Sequence, residues 1–104
     1  MINKDALAQM KNDALLINTA RGPLCDYEDL YDALKSGIIG SAMLETFSVE
    51  PTPPDWPLLQ LDNVTLTPHI AGASVRTARY AAQVLAEDVK NYISGAPLKN
   101  RYGD

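Results

Sequence analysis

Three short apolar runs in this sequence restrict its fold more than any other feature does. The runs are ALLIN at 14–18, IGSAMLETF at 39–47 and VTLT at 64–67. Compact apolar runs that alternate with helices are typical of parallel strands in a sheet that helices cover. We therefore predict an α/β fold with a three-stranded parallel sheet, flanking helices and a long C-terminal helix.

Capping residues predict where the helices begin and end. A side chain that can accept a backbone hydrogen bond precedes each predicted helix. The three pairs of cap and helix are Asn3 with 4–10, Asp26 with 27–36 and Ser74 with about 75–94. Gly37 ends the second helix, and Gly95 and Pro97 end the third. The segment 48–57 contains four of the seven prolines, which predicts an extended loop.

The length and charge of the chain argue against several classes of function. With 104 residues, the chain is predicted to form one domain, 1–104. A net charge of -4 without a lysine and arginine cluster argues against nucleic acid and anionic membranes as partners. The single cysteine, Cys25, excludes an internal disulfide and fits a reducing compartment. Because no apolar stretch approaches roughly 18 residues and the N-terminus does not resemble a signal peptide, we predict a cytoplasmic protein.

The residues that follow the three apolar runs are candidates for a functional site. In an open parallel sheet, ligands bind beyond the carboxyl ends of the strands. Arg21 follows the first run, and His69, the only histidine, follows the third. Glu45 lies near the end of the second run, with Glu50 a few residues later. We therefore expect arginine, glutamate and histidine to converge on one edge of the sheet.

These three residue types form a coherent chemical set. A glutamate beside a histidine holds the proton of one ring nitrogen, and the other nitrogen can then exchange a proton with a substrate oxygen. An arginine can bind a carboxylate through two hydrogen bonds. Together they suit an acid that carries a hydroxyl or keto group on the next carbon. Because no side chain of this set accepts a hydride, the reaction would need a nicotinamide cofactor.

Four separated motifs carry a family resemblance over nearly the whole chain. LINTARG, SAMLETFSVEP, NVTLTPHIAG and PLKNRY, in this order, resemble the D-isomer-specific 2-hydroxyacid dehydrogenases. The match is to the second half of their NAD-binding domain, which implies a partial Rossmann-like fold. The resemblance implies hydride transfer between NAD, or NADP, and a small 2-hydroxy or 2-keto acid.

The resemblance also implies roles for individual residues. Arg21 would bind the substrate carboxylate, Glu50 would be the partner of the histidine, and His69 would be the acid and base. The residues implied to contact the nicotinamide are Thr19, Ala20, Arg21, Glu45, His69, Ile70, Ala71 and Gly72. Glu45 stands where the family usually has an aspartate. No metal site is predicted.

The sequence does not contain the glycine-rich phosphate turn of the family, GxGxxG, or the acidic residue that follows it. We therefore expect a truncated second half of a dinucleotide-binding domain, with weak or absent NAD binding. Two hypotheses stay open. The chain is either the cofactor-side portion of a dehydrogenase, inactive alone, or a non-catalytic remnant that folds and self-associates.

Apolar side chains on the predicted last helix favour self-association. At helical spacing this stripe comprises Val75, Ala78, Ala82, Leu85, Val89 and Ile93. A sheet of three strands also leaves edges that invite a partner. We therefore predict a homodimer or higher oligomer. The stripe of Tyr27, Leu30, Tyr31 and Leu34, in contrast, is interpreted as core, Cys25 as a small buried residue and Trp56 as an anchor of the proline-rich loop.

Overall fold

The computed structural model describes residues 1–101 and divides into two compact units. The first unit is Met1–Ile70, and the second begins at Ala71. The first unit contains helices α1 (Lys4–Leu7) and α2 (Tyr27–Lys35) and strands β1 (Leu15–Asn18), β2 (Ser41–Leu44) and β3 (Val64–Leu66). The second unit contains α3 (Val75–Ser94). The single domain over 1–104 stays a prediction.

In the described residues, β2 is the middle strand of a three-stranded parallel sheet with the order β1-β2-β3. Met43 pairs with Ile17 on one side and with Thr65 on the other, so these three side chains share one face. The predicted α/β fold, with its parallel sheet, flanking helices and long C-terminal helix, is confirmed. Because the strands are parallel, their carboxyl ends lie along one edge of the sheet.

Helix α2 supplies much of the apolar core of the first unit. Asp26 caps it, and its Oδ1 atom accepts two backbone N–H groups of the first turn. Leu30 and Leu34 are buried and belong to the same apolar cluster as Ala42 and Leu44 of β2. Burying one leucine side chain contributes about 1.5–3 kcal/mol. The helix is therefore held to the sheet mainly by its leucines.

Three predictions about packing are confirmed. Leu30 and Leu34 of the predicted stripe lie in the core, and Tyr27 and Tyr31 pack against it. Cys25 is buried. It pairs with Ile2 of the N-terminal segment through an isolated β-bridge. Trp56 packs against the core from the proline-rich loop.

The opposite face of the sheet is exposed and apolar. Leu15, Ile17 and Met43 have exposed fractions of 51%, 55% and 38%. Ile17 and Met43 pair with each other within the sheet, and Leu15 is the first residue of β1. The described residues therefore leave these three apolar side chains in contact with solvent, on a face that also carries Thr65.

Two elements are shorter than the sequence predicts. The first helix, predicted over 4–10, ends at Leu7, because the N–H groups of Gln9 and Met10 bond to carbonyls three residues earlier and tighten the chain into a turn. The second strand, predicted over 39–47, is Ser41–Leu44. The N–H groups of Ile38 and Ile39 still bond to the Ala33 carbonyl of α2. The residues after Leu44 turn away to form the candidate site described below.

Two short 3-10 helices lie outside the helices and strands that the sequence predicts. They are Gly22–Leu24 and Pro57–Gln60. Each has a proline in its first turn, where the fixed backbone angle of proline suits a helical start. Their single turns are too short to give a periodic apolar pattern, which is why the sequence did not indicate them.

Helix α3 has the bounds that the sequence predicts. The Ser74 hydroxyl accepts the N–H of Thr77 at 3.1 Å, and Gly95 ends the helix with a φ of +73°, where a glycine is favoured. At 20 residues the helix is about 30 Å long. None of its described residues is buried. Among residues 1–101, no helix combines the length and apolar character needed to cross a membrane.

Candidate active site

The loop after β1 is shaped by the buried side chain of Asn18. Its Oδ1 atom accepts the N–H of Ala20, and its Nδ2 atom donates to the carbonyl of Arg21, both at 3.1 Å. The Arg21 guanidinium, through Nη1, also donates to the carbonyl of Ala20 at 2.6 Å. Thr19, Ala20 and Arg21 are exposed. The last residue of the strand therefore fixes the path of the loop, while the loop itself stays open to a ligand.

Glu50 and His69 form a hydrogen-bonded pair at the same edge of the sheet. The Nδ1 atom of His69 lies 3.1 Å from one carboxylate oxygen of Glu50 and 3.0 Å from the other. The backbone N–H of Phe47 donates to Glu50 Oε1 at 2.9 Å. About two fifths of each side chain of the pair is exposed, 43% for His69 and 39% for Glu50. The predicted contact between this glutamate and this histidine is present in the structure.

The environment of Glu50 decides which ring nitrogen of His69 carries a proton. Hydrogen bonds from His69 and from the N–H of Phe47, together with the positive charge of Arg21, hold the pKa of the Glu50 carboxyl below its ordinary value of 4.5. The carboxyl is therefore ionised near neutral pH. Since an ionised carboxylate can only accept hydrogen bonds, the Nδ1 atom of His69 must donate. In the neutral ring, Nε2 is then free to take a proton.

The backbone of His69 adopts an unusual conformation. Its φ of +49° lies in the left-handed region, which costs a residue with a Cβ atom about 1–2 kcal/mol. Its N–H is shared between the carbonyls of Glu45 and Thr67, each at 3.0 Å. The side-chain contact with Glu50 adds a third restraint. This tight turn, which includes Pro68, therefore holds the imidazole by its backbone as well as by its ring.

Glu45 has a structural part in this turn that the sequence did not indicate. Its side chain is 4% exposed, and its Oε1 atom accepts the backbone N–H of Ile70 at 2.8 Å. Its carbonyl accepts the N–H of His69. One residue at the end of β2 thus binds two successive N–H groups of the histidine turn. A buried acidic residue at a strand end, 25 positions from a tight turn, gives no signal of this kind in a sequence.

A small cavity lies beside the pair of Glu50 and His69. Its volume is about 270 Å³. The residues that line it are Phe47, Glu50, Pro51, Thr52, Pro68 and His69. Three of the lining residues are apolar, and the pair and Thr52 supply the polar groups. Such a pocket can hold a small organic molecule next to a proton-exchanging group.

The loop that carries Glu50 is packed against α2 by aromatic rings. Trp56 contacts Tyr27 and Phe47 edge to face, with ring centroids 5.2 Å and 5.6 Å apart. At its other side, the loop touches the segment after Arg21. A Cβ atom added to Gly22 would lie 2.2 Å from the carbonyl carbon of Phe47, so only glycine permits this approach. The two loops that carry Arg21 and Glu50 are therefore in direct backbone contact.

Most of the predicted site residues lie at one edge of the first unit. Arg21, Glu50 and His69 are close enough that both of the other side chains lower the pKa of Glu50. Ala71 and Gly72 begin the second unit. The roles implied for all of these residues stay predictions. Within residues 1–101, no group of histidine, cysteine, aspartate and glutamate side chains could hold a metal ion.

Comparisons with known proteins give one consistent family. The sequence profile described as "D-isomer specific 2-hydroxyacid dehydrogenase, NAD binding domain" matches residues 1–71. The chain is 39% identical over 100 residues to the D-3-phosphoglycerate dehydrogenase of Archaeoglobus fulgidus, covering 96% of the chain and 19% of that protein. It is 48% identical over 89 residues to the glyoxylate reductase of Korarchaeum cryptofilum, covering 86% of the chain and 27% of that protein.

A solved structure gives the same result for the fold. The D-isomer specific 2-hydroxyacid dehydrogenase of Xanthobacter autotrophicus Py2, in complex with NADPH and MES, matches with a TM-score of 0.85 and 39% identity. The match covers 98% of this chain and 41% of that one. The chain spans only about a fifth to a quarter of the length of the two curated relatives.

Proposed function

Because the chain belongs to the D-isomer specific 2-hydroxyacid dehydrogenases, through their NAD binding domain, we propose that it is the cofactor-side portion of such an enzyme. The reaction is hydride transfer between a nicotinamide and a small 2-hydroxy or 2-keto acid. The observation that carries the proposal is the hydrogen bond from His69 Nδ1 to the ionised carboxylate of Glu50, beside Arg21 and at the carboxyl ends of parallel strands.

In the proposed mechanism, His69 exchanges a proton and Arg21 binds the acid. With Nδ1 bonded to Glu50, Nε2 takes the proton of the substrate hydroxyl, and in reverse the protonated ring donates to the keto oxygen. The imidazolium that forms is stabilised by the Glu50 carboxylate. Arg21 binds the substrate carboxylate through two hydrogen bonds and so orients the carbon that reacts.

The exposed loop after β1 and the histidine turn fit a nicotinamide. NAD or NADP would supply the hydride acceptor. Thr19, Ala20 and Arg21 leave the loop open to a ligand, and Ile70 is 55% exposed. Glu45, one methylene longer than the usual aspartate, already holds the N–H of Ile70 with one oxygen. The assignment of Ala71 and Gly72 to this site rests on the resemblance.

We expect the 104-residue chain alone to bind NADH weakly. In folds of this kind much of the affinity comes from a pyrophosphate at a helix N-terminus behind a glycine-rich turn, and the sequence contains no GxGxxG. Isothermal calorimetry should give a dissociation constant of about 1 mM or weaker. A micromolar constant would contradict this expectation. The chain alone is accordingly proposed to be inactive.

The second hypothesis is a non-catalytic remnant that self-associates, and the exposed apolar surfaces support its self-association. Leu15, Ile17 and Met43 leave one face of the sheet apolar and in solvent, and α3 contributes a separate apolar stripe. The two hypotheses share the predicted homo-oligomer and differ in catalysis. The cytoplasmic location stays a prediction.

A chimera distinguishes the two hypotheses. The matching segment of the Korarchaeum cryptofilum glyoxylate reductase would be replaced by this chain, and reduction of glyoxylate would be followed by oxidation of NADH or NADPH. If the chain is the cofactor-side portion of an enzyme, the chimera should be active, and His69→Gln should lower kcat by about 10²–10⁴-fold. A folded chimera that binds cofactor but gives no turnover would favour the non-catalytic remnant.

A further inference from the structure

The hydroxyl of Tyr27 contacts the start of the loop that carries Glu50. Tyr27 is the first residue of α2, and its ring is held edge to face by Trp56. Its hydroxyl donates to the carbonyl of Thr46 at 2.5 Å. Thr46 is buried and lies immediately after Glu45. The hydroxyl therefore anchors the chain at the point where it leaves β2 and enters the loop of Glu50.

One arm of contacts leads from Thr46 to the histidine. The peptide group between Thr46 and Phe47 makes two of these hydrogen bonds. Its carbonyl accepts from the Tyr27 hydroxyl, and its N–H donates to Glu50 Oε1 at 2.9 Å. Glu50 in turn accepts from His69 Nδ1. A displacement of this single peptide group would move the acceptor of the histidine proton.

A second arm leads from the anchored backbone to the loop of Arg21. A Cβ atom added to Gly22, the residue after Arg21, would lie 2.2 Å from the carbonyl carbon of Phe47, the residue after Thr46. The backbone that the Tyr27 hydroxyl anchors is therefore packed directly against the loop of Arg21. Asn18 holds the same loop from within, because its Nδ2 atom donates to the carbonyl of Arg21 at 3.1 Å.

We propose that Tyr27 is a positioning residue, whose hydroxyl fixes the loop of Arg21 relative to the pair of Glu50 and His69. This inference rests on the proposed function, because it concerns the relative position of Arg21, which would bind the substrate carboxylate, and His69, which would exchange the proton. The contacts themselves are properties of the chain alone. They can therefore be tested without turnover.

The test compares Tyr27→Phe with a matched control, Tyr31→Phe. Tyr27→Phe removes the hydroxyl and keeps the ring that packs on Trp56. Tyr31 lies one turn later on α2, and its hydroxyl accepts from Lys35 Nζ at 3.1 Å. The control therefore loses a tyrosine hydroxyl on the same helix but none of the contacts described above.

Two NMR readouts follow the two arms. The chain has one histidine, so ¹⁵N spectra report the tautomer of His69 without overlap. In Tyr27→Phe we expect the share of the Nε2–H tautomer to rise at least about twofold. We also expect hydrogen exchange of the Phe47 and Ala20 N–H groups to accelerate roughly five- to tenfold, as the loss of one hydrogen bond predicts. Tyr31→Phe should change neither readout.

The outcomes separate positioning from simple stabilisation. A merely structural role would accelerate exchange throughout the core and leave the His69 tautomer unchanged, and this result would overturn the proposal. Emission of Trp56, the single tryptophan, checks that the aromatic packing is intact. In the active chimera, Tyr27→Phe should raise KM for glyoxylate and lower kcat together. If the NMR changes occur but the chimera is inactive, the positioning contacts stand and the proposed function fails.

Discussion

At the scale of single residues, ionisation of Glu50 makes the stability of the candidate site depend on pH. Its lowered carboxyl pKa means that the folded state favours the ionised form. The stabilisation that follows is complete well above the ordinary value of 4.5 and is lost as pH falls through the lowered pKa of the folded state. We expect Glu50→Gln to be less stable than the parent chain at about pH 6 and equally stable in strong acid. Urea unfolding at both pH values measures this difference. An equal loss at both would mean that the pair contributes through packing and not through charge.

Cys25 should be unreactive in the folded chain. Burial, and to a smaller extent the charge of Asp26, raise the pKa of its thiol to about 11, so only about one thiol in a thousand is ionised at pH 8. We expect no reaction with Ellman's reagent at pH 8 on the timescale in which the urea-unfolded chain reacts completely. Rapid labelling of the folded chain would show that the N-terminal segment around Ile2 opens readily.

At the scale of elements, the approach of two loops depends on Gly22. A Cβ atom there would lie 2.2 Å from the carbonyl carbon of Phe47 and 2.4 Å from the nitrogen of Ser48. We expect Gly22→Ala to destabilise the chain by about 1–3 kcal/mol, because both obstacles are backbone and cannot move aside cheaply. Gly72→Ala is the control, since no described atom lies within 4 Å of its added Cβ. Thermal unfolding of the two variants should differ clearly; equal melting temperatures would contradict the close approach.

The elements themselves could be predicted from local signals, whereas much of the site could not. Asp26, Ser74 and Gly95 act on backbone groups within four residues of themselves, so their effects are visible in the sequence. The contact of Glu50 with His69 could be anticipated because both follow strand ends.

Other contacts depend on distances that only the folded chain defines. The bond from the Tyr27 hydroxyl to Thr46 joins residues 19 apart, and that from Ile70 to Glu45 joins residues 25 apart. Neither hydrogen bond requires an unusual residue type, so neither produces a pattern that can be recognised in the sequence. The left-handed backbone of His69 is likewise set by its partners and not by its own preference.

At the scale of the whole molecule, the exposed apolar surfaces lead to the expectation of self-association. Leu85 and Val89 of α3 are 66% and 48% exposed. Contiguous apolar patches beyond a few hundred Å² are unusual on monomers. We expect light scattering at micromolar concentration to give a dimer or larger species, and Leu85→Glu with Val89→Glu to reduce its mass. A monomer whose mass and solubility are unaffected by these substitutions would contradict the prediction.

The hydrogen bond between the Glu45 carboxylate and the Ile70 amide also limits which substitutions evolution can accept at position 45. It is made with the full length of a glutamate side chain. An aspartate would end about 1.5 Å short of the same amide, the length of one carbon–carbon bond. A lineage that exchanges one acid for the other must therefore either shift the backbone that presents the histidine or supply a different acceptor for this amide.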